Sequence, residues 1–306
     1  MLGALLDDLT ALPGLQVTVA RDPFQAPLAH PVTPVVPQSG EAVWACWRDA
    51  IAAADATWAI APESGGLLAC LNGMVLAAGR RLLGCHPDAV AIAGSKTMTA
   101  AALAAAGIAV VPTGWATEPL PPADCGWVAK PDDGVGGEDT VWMEDAGRLQ
   151  SWLAVGHRRR THVVQPFVRG QAASLCLLCN GTAASLLSVN SQDVALDRSG
   201  CAYRGGVVGG LEDRRRQLDG LVSRLPEAIP GLWGYVGVDV ILGAGPAVVV
   251  EVNPRLSTSY VGLHRAIGVN PAGLVIDLAA GGGLPSALAV TPVPIRVPVA
   301  AAGGRP

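Results

Sequence analysis

Four residues in the C-terminal third carry the clearest chemistry: Asp239, Glu251, Asn253 and Arg255. Asp239 lies in the apolar run Tyr235 to Leu242 and Glu251 in the run Ala247 to Val252, with Gly243-Ala244-Gly245-Pro246 between them. Two strands joined by a tight turn make a hairpin, and a hairpin register can bring the two carboxylates together. Glu251 and Asn253 are two apart and so share a face. Two carboxylates and an amide oxygen are hard ligands of the kind Mg²⁺ takes, with phosphate oxygens completing the shell. Arg255, two positions further on, aims a cation at the same place. The plainer reading is an exposed pair on an alternating sheet face; valines on both sides of each carboxylate weaken it, because burying a lone carboxylate is costly.

Two further segments invite a nucleotide reading. In Val128 to Glu138 a strand delivers Lys130 and then a loop with Gly134, Gly136 and Gly137, whose backbone N–H groups could approach a polyphosphate. It is not a P-loop, because the lysine precedes the glycines and no Gly-Lys-Ser/Thr opens a helix. Alone, such a loop is equally a flexible turn. In Val163 to Gly170, Gln165, Pro166, Phe167 and Val168 form an extended segment where proline removes a backbone donor beside an aromatic ring. That suits an adenine, and it suits any edge strand as well.

The elements that must position these residues fall into two textures. The spacing predicts a helix from Leu2 to Leu12, a strand at Gln16 to Ala20, and a Pro-rich connection. A helix from Glu41 to Ala54, a strand at Thr57 to Ile60, a helix after Ser64 and a strand near Leu82-Leu83 follow. That alternation predicts a small parallel sheet with crossover helices. A helix over Ser95 to Ala106 precedes Ile108 to Pro112, and from Trp127 the signals become antiparallel: Trp127 to Lys130, Thr140 to Trp142, a helix through Leu153, and His162 to Gln165. A hairpin is expected at Asn180-Gly181. A polar stretch leads to a helix over Leu211 to Leu225, the strands around Asp239 and Glu251, and helices near Gly262 to Ile267 and Ala272 to Ala280. The expected division is an α/β domain over residues 1–90, an α+β domain over 91–285 and a Pro/Ala/Gly-rich tail over 286–306. No internal repeat is present.

Composition excludes several classes. Half of the 306 residues are apolar and only 15% are charged, which suits a domain able to bury a large core rather than a disordered chain. A net charge of -4 with no long basic run leaves no footprint for nucleic acid; the runs Arg158 to Arg160 and Arg214 to Arg216 are short and read as solvated faces. Seven scattered cysteines point to a reducing compartment. Cys176 and Cys179 lie three apart in an apolar strand, hence on opposite faces, which favours packing over metal or redox chemistry. No basic leader and no apolar stretch long enough for a bilayer are found, so a cytoplasmic location and no membrane partner are expected. Only two of the 21 basic residues are lysine, Lys96 and Lys130. An Ala-, Gly-, Pro- and Arg-rich chain suggests a GC-rich genome, which accounts for the scarcity but not for where the two lysines stand.

Taken in order, these segments over roughly residues 57 to 280 resemble the ATP-grasp superfamily of carboxylate ligases. The resemblance implies a mixed α/β and α+β chain: an ATP-grasp fold behind an N-terminal Rossmann-like, pre-ATP-grasp domain. That domain begins here on a helix, as though its first strand were lost or the start site lay further upstream. It implies phosphate contacts from Lys96, in Gly94-Ser95-Lys96, and from Lys130, with the glycine loop closing over the triphosphate and Gln165 to Val168 as the adenine hinge. Asp239, Glu251 and Asn253 match the ligands for Mg²⁺, with Mn²⁺ as the alternative ion, and Arg255 matches the arginine that stabilises the transferred phosphate and the tetrahedral intermediate. One departure is Ala172, where the family often has an acidic residue for the ribose.

Within the superfamily, Ala61 to Leu68, Tyr203-Arg204-Gly205-Gly206 and Asn253 to Tyr260, with Ser257 and Thr258 on the substrate side, look most like the tyramine-glutamate ligases of methanofuran or methylofuran biosynthesis. The implied reaction joins the side-chain carboxylate of L-glutamate, through an acyl phosphate, to tyramine or tyrosine. Arg204 is the candidate for the glutamate α-carboxylate, against a surface arginine beside a glycine turn. Glu63 would hold the α-ammonium or cap the helix after Pro62. A homodimer covering the open sheet edge is a further expectation. The alternatives are another ATP-grasp amino-acid or dipeptide ligase, and a non-catalytic ATP-binding regulatory protein.

Overall fold

The computed structural model describes residues 1–38, 40, 42–286 and 288–296. The N-terminal part runs α1 (Leu2–Thr10), β1 (Thr18–Ala20), β2 (Thr33–Val35), α2 (Val43–Ala53), β3 (Ala56–Thr57), a 3-10 turn (Ser64–Gly66), α3 (Leu67–Ala77), β4 (Arg81–Leu82) and α4 (Pro87–Gly94). Its strands make two separate parallel pairs, β1 with β2 and β3 with β4, where the pattern predicts one sheet. Strands of two or three residues offer too little ladder to join. Helix α1 packs instead against the C-terminal helices. There its buried Asp8 accepts hydrogen bonds from Tyr260 Oη at 2.8 Å and meets His264 Nδ1 at 2.5 Å.

The second part begins with α5 (Lys96–Ala105), whose cap is Ser95: its Oγ accepts from the Met98 N–H at 3.2 Å. Ile108 to Val111 adds only one isolated bridge, Val110 to Val249, rather than a strand. A four-stranded sheet follows, from β5 (Gly114–Trp115), β6 (Trp127–Pro131), β7 (Val141–Met143), then α6 (Ala146–Leu153), α7 (Arg158–Thr161) and β8 (His162–Pro166), in the order β5-β8-β6-β7. The larger sheet takes β9 (Gln171–Asn180), β10 (Ala184–Leu196) and β11 (Cys201–Val208). After a 3-10 segment (Glu212–Leu218) and α8 (Asp219–Ala228) it takes β12 (Trp233–Leu242) and β13 (Val248–Asn253). Helices α9 (Tyr260–Ile267) and α10 (Pro271–Ala279) precede β14 (Val293–Arg296), which pairs with β11 at the sheet edge. Residues 293–296 of the expected tail are thus part of the sheet; residue 287 and residues 297–306 lie outside the described residues.

The turn at Asn180-Gly181 joins β9 to β10, with Asn180 Oδ1 accepting from the Ala183 N–H at 2.8 Å. The polar stretch beyond it is half of a second hairpin, β10 to β11, which hydrophobic periodicity does not reveal because its inward residues are Asn190 and Gln192. Along β9 the side chains alternate between two apolar layers. Leu175, Leu177 and Cys179 face α4, α5 and α8, while Cys176 and Leu178 face α9 and α10. Each fully buried leucine there contributes about 1.5–3 kcal/mol. The two cysteines point to opposite faces, and burial pushes both thiols above their ordinary range. Among the described residues no helix is long and apolar enough to cross a membrane.

Candidate active site

The register of β12 against β13 sets Asp239 directly opposite Glu251 and Gly237 opposite Asn253, with a bulge just after Asp239. Directly opposed residues of an antiparallel pair share a face, so both carboxylates and the Asn253 amide converge. Asp239 Oδ1 accepts from Gln192 Nε2 at 2.8 Å and its Oδ2 from Asn253 Nδ2 at 3.1 Å. Burial, and then the Glu251 carboxylate, push the Asp239 carboxyl up to about 7. Burial also acts to raise Glu251, but Lys130 and Lys96 outweigh it and hold the carboxyl below its ordinary value. A carboxylate pair facing one another with one member strained upward, beside an amide, is a hard-oxygen set that a divalent cation would relieve. Among the described residues no group of three or more His, Cys, Asp or Glu could hold a metal. The set therefore depends on Asn253 for its third protein oxygen.

Cations surround the pair. Lys130, buried on β6, places Nζ 3.8 Å from Glu251 Oε2. Lys96, at the first turn of α5, is also buried, and burial lowers its pKa. Its Nζ donates to the carbonyls of Asp132 at 3.1 Å and Gly134 at 2.8 Å, so it holds the start of the glycine loop. Further along the loop Gly137 takes φ +77°, and a Cβ there would stand 3.0 Å from Cys201 Sγ. Left-handed backbone and close approach to β11 both require glycine at that point. Arg255 Nε donates to Glu63 Oε2 at 2.8 Å, Nη2 to Asn253 Oδ1 at 3.3 Å and Nη1 to the Leu256 carbonyl at 3.2 Å.

The structure thus links Lys96, Lys130, Gly134, Asp239, Glu251, Asn253, Arg255 and Glu63 through one network of hydrogen bonds and charge contacts, with Gly136 and Gly137 following in the same loop. Glu63 makes no capping hydrogen bond, so the helix-cap reading fails: its carboxylate is taken by Arg255. Ser257 Oγ lies 2.7 Å from Tyr235 Oη, and Thr258 follows it in the segment between β13 and α9. Arg204 stands apart. It is the extra residue of a bulge between β10 and β11, exposed, with its charge felt by Asp197. The bulge instead turns Tyr203 toward Asp239; burial, then that carboxylate, push its phenol up to about 12. In the hinge segment Gln165 Nε2 donates to Thr113 Oγ1 at 2.8 Å. The Phe167 N–H is committed to the Gly126 carbonyl, and the Phe167 ring sits edge-on to Trp142. Gln192, and the place that Tyr203 rather than Arg204 takes within the segment Tyr203-Arg204-Gly205-Gly206, are not among the sequence expectations. The alternation Asn190, Gln192 in a polar stretch was the available sign of the first; a bulge hid the second.

An ATP-grasp domain model matches residues 93–259, and a pre ATP-grasp 3 domain model matches residues 15–90. The chain is similar to the tyramine-L-glutamate ligase of Methanocaldococcus jannaschii, at 29% identity over 204 residues, 67% of this chain and 56% of that protein. The enzyme of the same name from Methanocaldococcus fervens is 29% identical over 207 residues, 67% of this chain and 60% of that one. The chain therefore spans little more than half the length of these curated relatives. Among solved structures it resembles an ATP-grasp superfamily protein from Archaeoglobus fulgidus, with TM-score 0.61, 27% identity, and coverage of 87% of this chain and 80% of that one. An L-amino acid ligase from Bacillus licheniformis superposes with TM-score 0.71 over 92% of this chain and 71% of its own, but at 18% identity it speaks for the fold alone. With both domain models matched in sequence and the paired carboxylates, lysines and arginine gathered where the two parts meet, the chain belongs to the ATP-grasp family, with a pre-ATP-grasp domain ahead of its ATP-grasp domain.

Proposed function

We propose that the chain is an ATP-dependent ligase that joins the side-chain carboxylate of L-glutamate to the amine of tyramine or tyrosine, releasing ADP and phosphate, in methanofuran or methylofuran biosynthesis. The observation that carries the reading is the convergence of Asp239, Glu251 and Asn253 with Lys96, Lys130 and Arg255 in one charge network. The similarity to two tyramine-L-glutamate ligases supports the choice of substrates.

In this reading ATP lies between the two sheets, its adenine at Gln165 to Val168 and its phosphates under the glycine loop. Asp239, Glu251 and Asn253 would hold Mg²⁺, or Mn²⁺ in its place; when bound it neutralises charge on the phosphate oxygens. The substrate carboxylate attacks the γ-phosphate, and Lys96 and Lys130 stabilise charge gathering on the phosphoryl oxygens from desolvated positions. Arg255, its guanidinium fixed by three hydrogen bonds, stabilises the oxyanion as the amine adds to the acyl phosphate and phosphate leaves. The loop from Gly134 to Gly137 excludes water that would hydrolyse the acyl phosphate. Ser257 and Thr258 border the substrate side. Arg204, turned outward by its bulge, is a weaker candidate for the glutamate α-carboxylate than Tyr203 is for the substrate face.

The test is ADP release from ATP, Mg²⁺, glutamate and a panel of amines. Release with tyramine or tyrosine supports the reading. Release with amino acids alone replaces it by an amino-acid or dipeptide ligase, and no release with any amine, despite ATP binding, replaces it by a non-catalytic nucleotide-binding protein.

A further inference from the structure

One short turn in the pre-ATP-grasp domain touches both halves of the active site. Glu63 is buried, its side chain 4% exposed, and it accepts Arg255 Nε at 2.8 Å across 192 residues of sequence. The next residue, Ser64, donates through Oγ to the Asp133 carbonyl at 2.9 Å, and the Gly65 N–H donates to Asp133 Oδ2 at 3.2 Å. Asp133 opens the glycine loop, one residue before Gly134. Gly65 and Gly66 both take left-handed backbone, φ +62° and +70°, where an added Cβ would meet nothing, so they serve the reversal of the chain rather than a close approach. That reversal lets Glu63 point to the arginine while residues 64 and 65 point to the loop. Opposite Glu63, Gly94 at the end of α4 leaves room: a Cβ there would lie 3.0 Å from Glu63 Cβ.

We infer that Glu63 is a positioning residue for Arg255 and that the turn Glu63 to Gly66 holds the glycine loop and the arginine in one frame. Arginine is a long side chain with much rotamer freedom, and ordering it before substrate arrives removes that entropy from the reaction step. The Glu63 carboxylate does this from a buried position where its charge is little screened. The same turn fixes the root of the loop, so that a seated loop and an aimed arginine belong to one arrangement. This assigns the carboxylate to the arginine rather than to a substrate ammonium, and it rests on the ligase reading above only for its kinetic readout.

The experiment uses the full chain as wild type, Glu63→Gln, Glu63→Asp, Asp133→Ala, which removes the acceptor for the Gly65 N–H, and the double variant Glu63→Gln with Asp133→Ala. The measurements are kcat, KM for ATP and for glutamate, the thermal midpoint, and calorimetric affinity for Mg·ATP. Glu63→Gln should lower kcat by roughly tenfold with KM for glutamate and thermal midpoint near wild type. Glu63→Asp, which keeps the charge, should recover part of that loss. The double variant should lose less than the product of the single losses, by about threefold or more, because both changes release one frame. Wild-type kcat in Glu63→Gln overturns the inference. So does a raised KM for glutamate at unchanged kcat, which would make Glu63 a substrate ligand, or strictly multiplicative losses in the double variant. Should the wild type release no ADP, the ligase reading alone has failed; the frame is then judged by Mg·ATP affinity, where non-additive effects of Glu63→Gln and Asp133→Ala uphold it and additive ones refute it.

Discussion

Replacing Glu251 by Gln separates what the carboxylate does for the fold from what it does for turnover. At 3.8 Å the Glu251–Lys130 attraction is worth about 4 kcal/mol with an effective dielectric constant near 20. The Asp239 and Glu251 carboxylates stand within hydrogen-bonding reach of one another, so with both ionised their repulsion comes to about 5 kcal/mol on the same scale. At pH 8 Asp239, pushed up to about 7, is mostly ionised, and the two terms nearly cancel. Glu251→Gln should then change stability in metal-free buffer by only about 1 kcal/mol, roughly 2 °C in Tm. The same change removes a full charge from the candidate Mg²⁺ set and should cut ADP release by about a hundredfold or more. Differential scanning calorimetry with EDTA at pH 8 reads the first quantity, and a coupled ADP assay at saturating Mg²⁺ the second. Wild-type turnover would remove Glu251 from the catalytic centre. A fall in Tm beyond roughly 8 °C would show that the carboxylate is a structural ion-pair partner and that the cancellation is wrong.

Three shorter predictions bear on the nucleotide side. Lys130→Arg should lower kcat/KM for ATP by roughly tenfold, because a buried ammonium near Glu251 cannot be exchanged for a wider guanidinium; unchanged kcat/KM would mean that only the charge matters. Gly137→Ala places a side chain at φ +77° and 3.0 Å from Cys201 Sγ, which strains the closed loop by about 1–2 kcal/mol and should raise KM for ATP about fivefold or more; an unaltered KM would show that this seating is not the bound state. Asp139 anchors the far end of the loop, bonded to Arg158 Nε at 3.1 Å and Nη2 at 2.9 Å, and the Arg158 hydrogen bonds hold its carboxyl below the ordinary 3.8. A depressed folded pKa gives stability above the ordinary value that is lost as pH falls through the folded one. Asp139→Asn should therefore cost about 0.5 kcal/mol of stability at pH 7 after solvent screening, read as a slightly lower Tm, and match wild type in acid; a gap that persists in acid would trace the effect to lost hydrogen-bond geometry at Arg158 and His162 rather than to charge.

How far the sequence reaches is visible element by element. The turn at Asn180-Gly181, the helix after Ser95 and the strands around Lys130, Asp239 and Glu251 were all legible, because turn chemistry, capping and period-two alternation are decided within a few residues. The β10–β11 hairpin was not, since Asn190 and Gln192 face a polar network rather than an apolar layer. The single parallel sheet expected at the N-terminus is two short pairs, and Ile108 to Val111 is one bridge. In each case local propensity was right about extension and silent about the partner.

The same division runs through the site. By itself the sequence determined which groups are present: two lysines, a glycine loop, two carboxylates, an amide and an arginine at spacings that chemistry can use. Only the tertiary structure decided what each one faces. The bulge after Asp239 sets the two carboxylates opposite one another, the bulge at Tyr203-Arg204 exchanges an arginine for a phenol, and packing of the two parts brings Glu63 to Arg255 and Ser64 to Asp133. Ion pairs and registers joining residues tens to hundreds of positions apart are fixed by the burial of whole layers, and that quantity is not written in any local window.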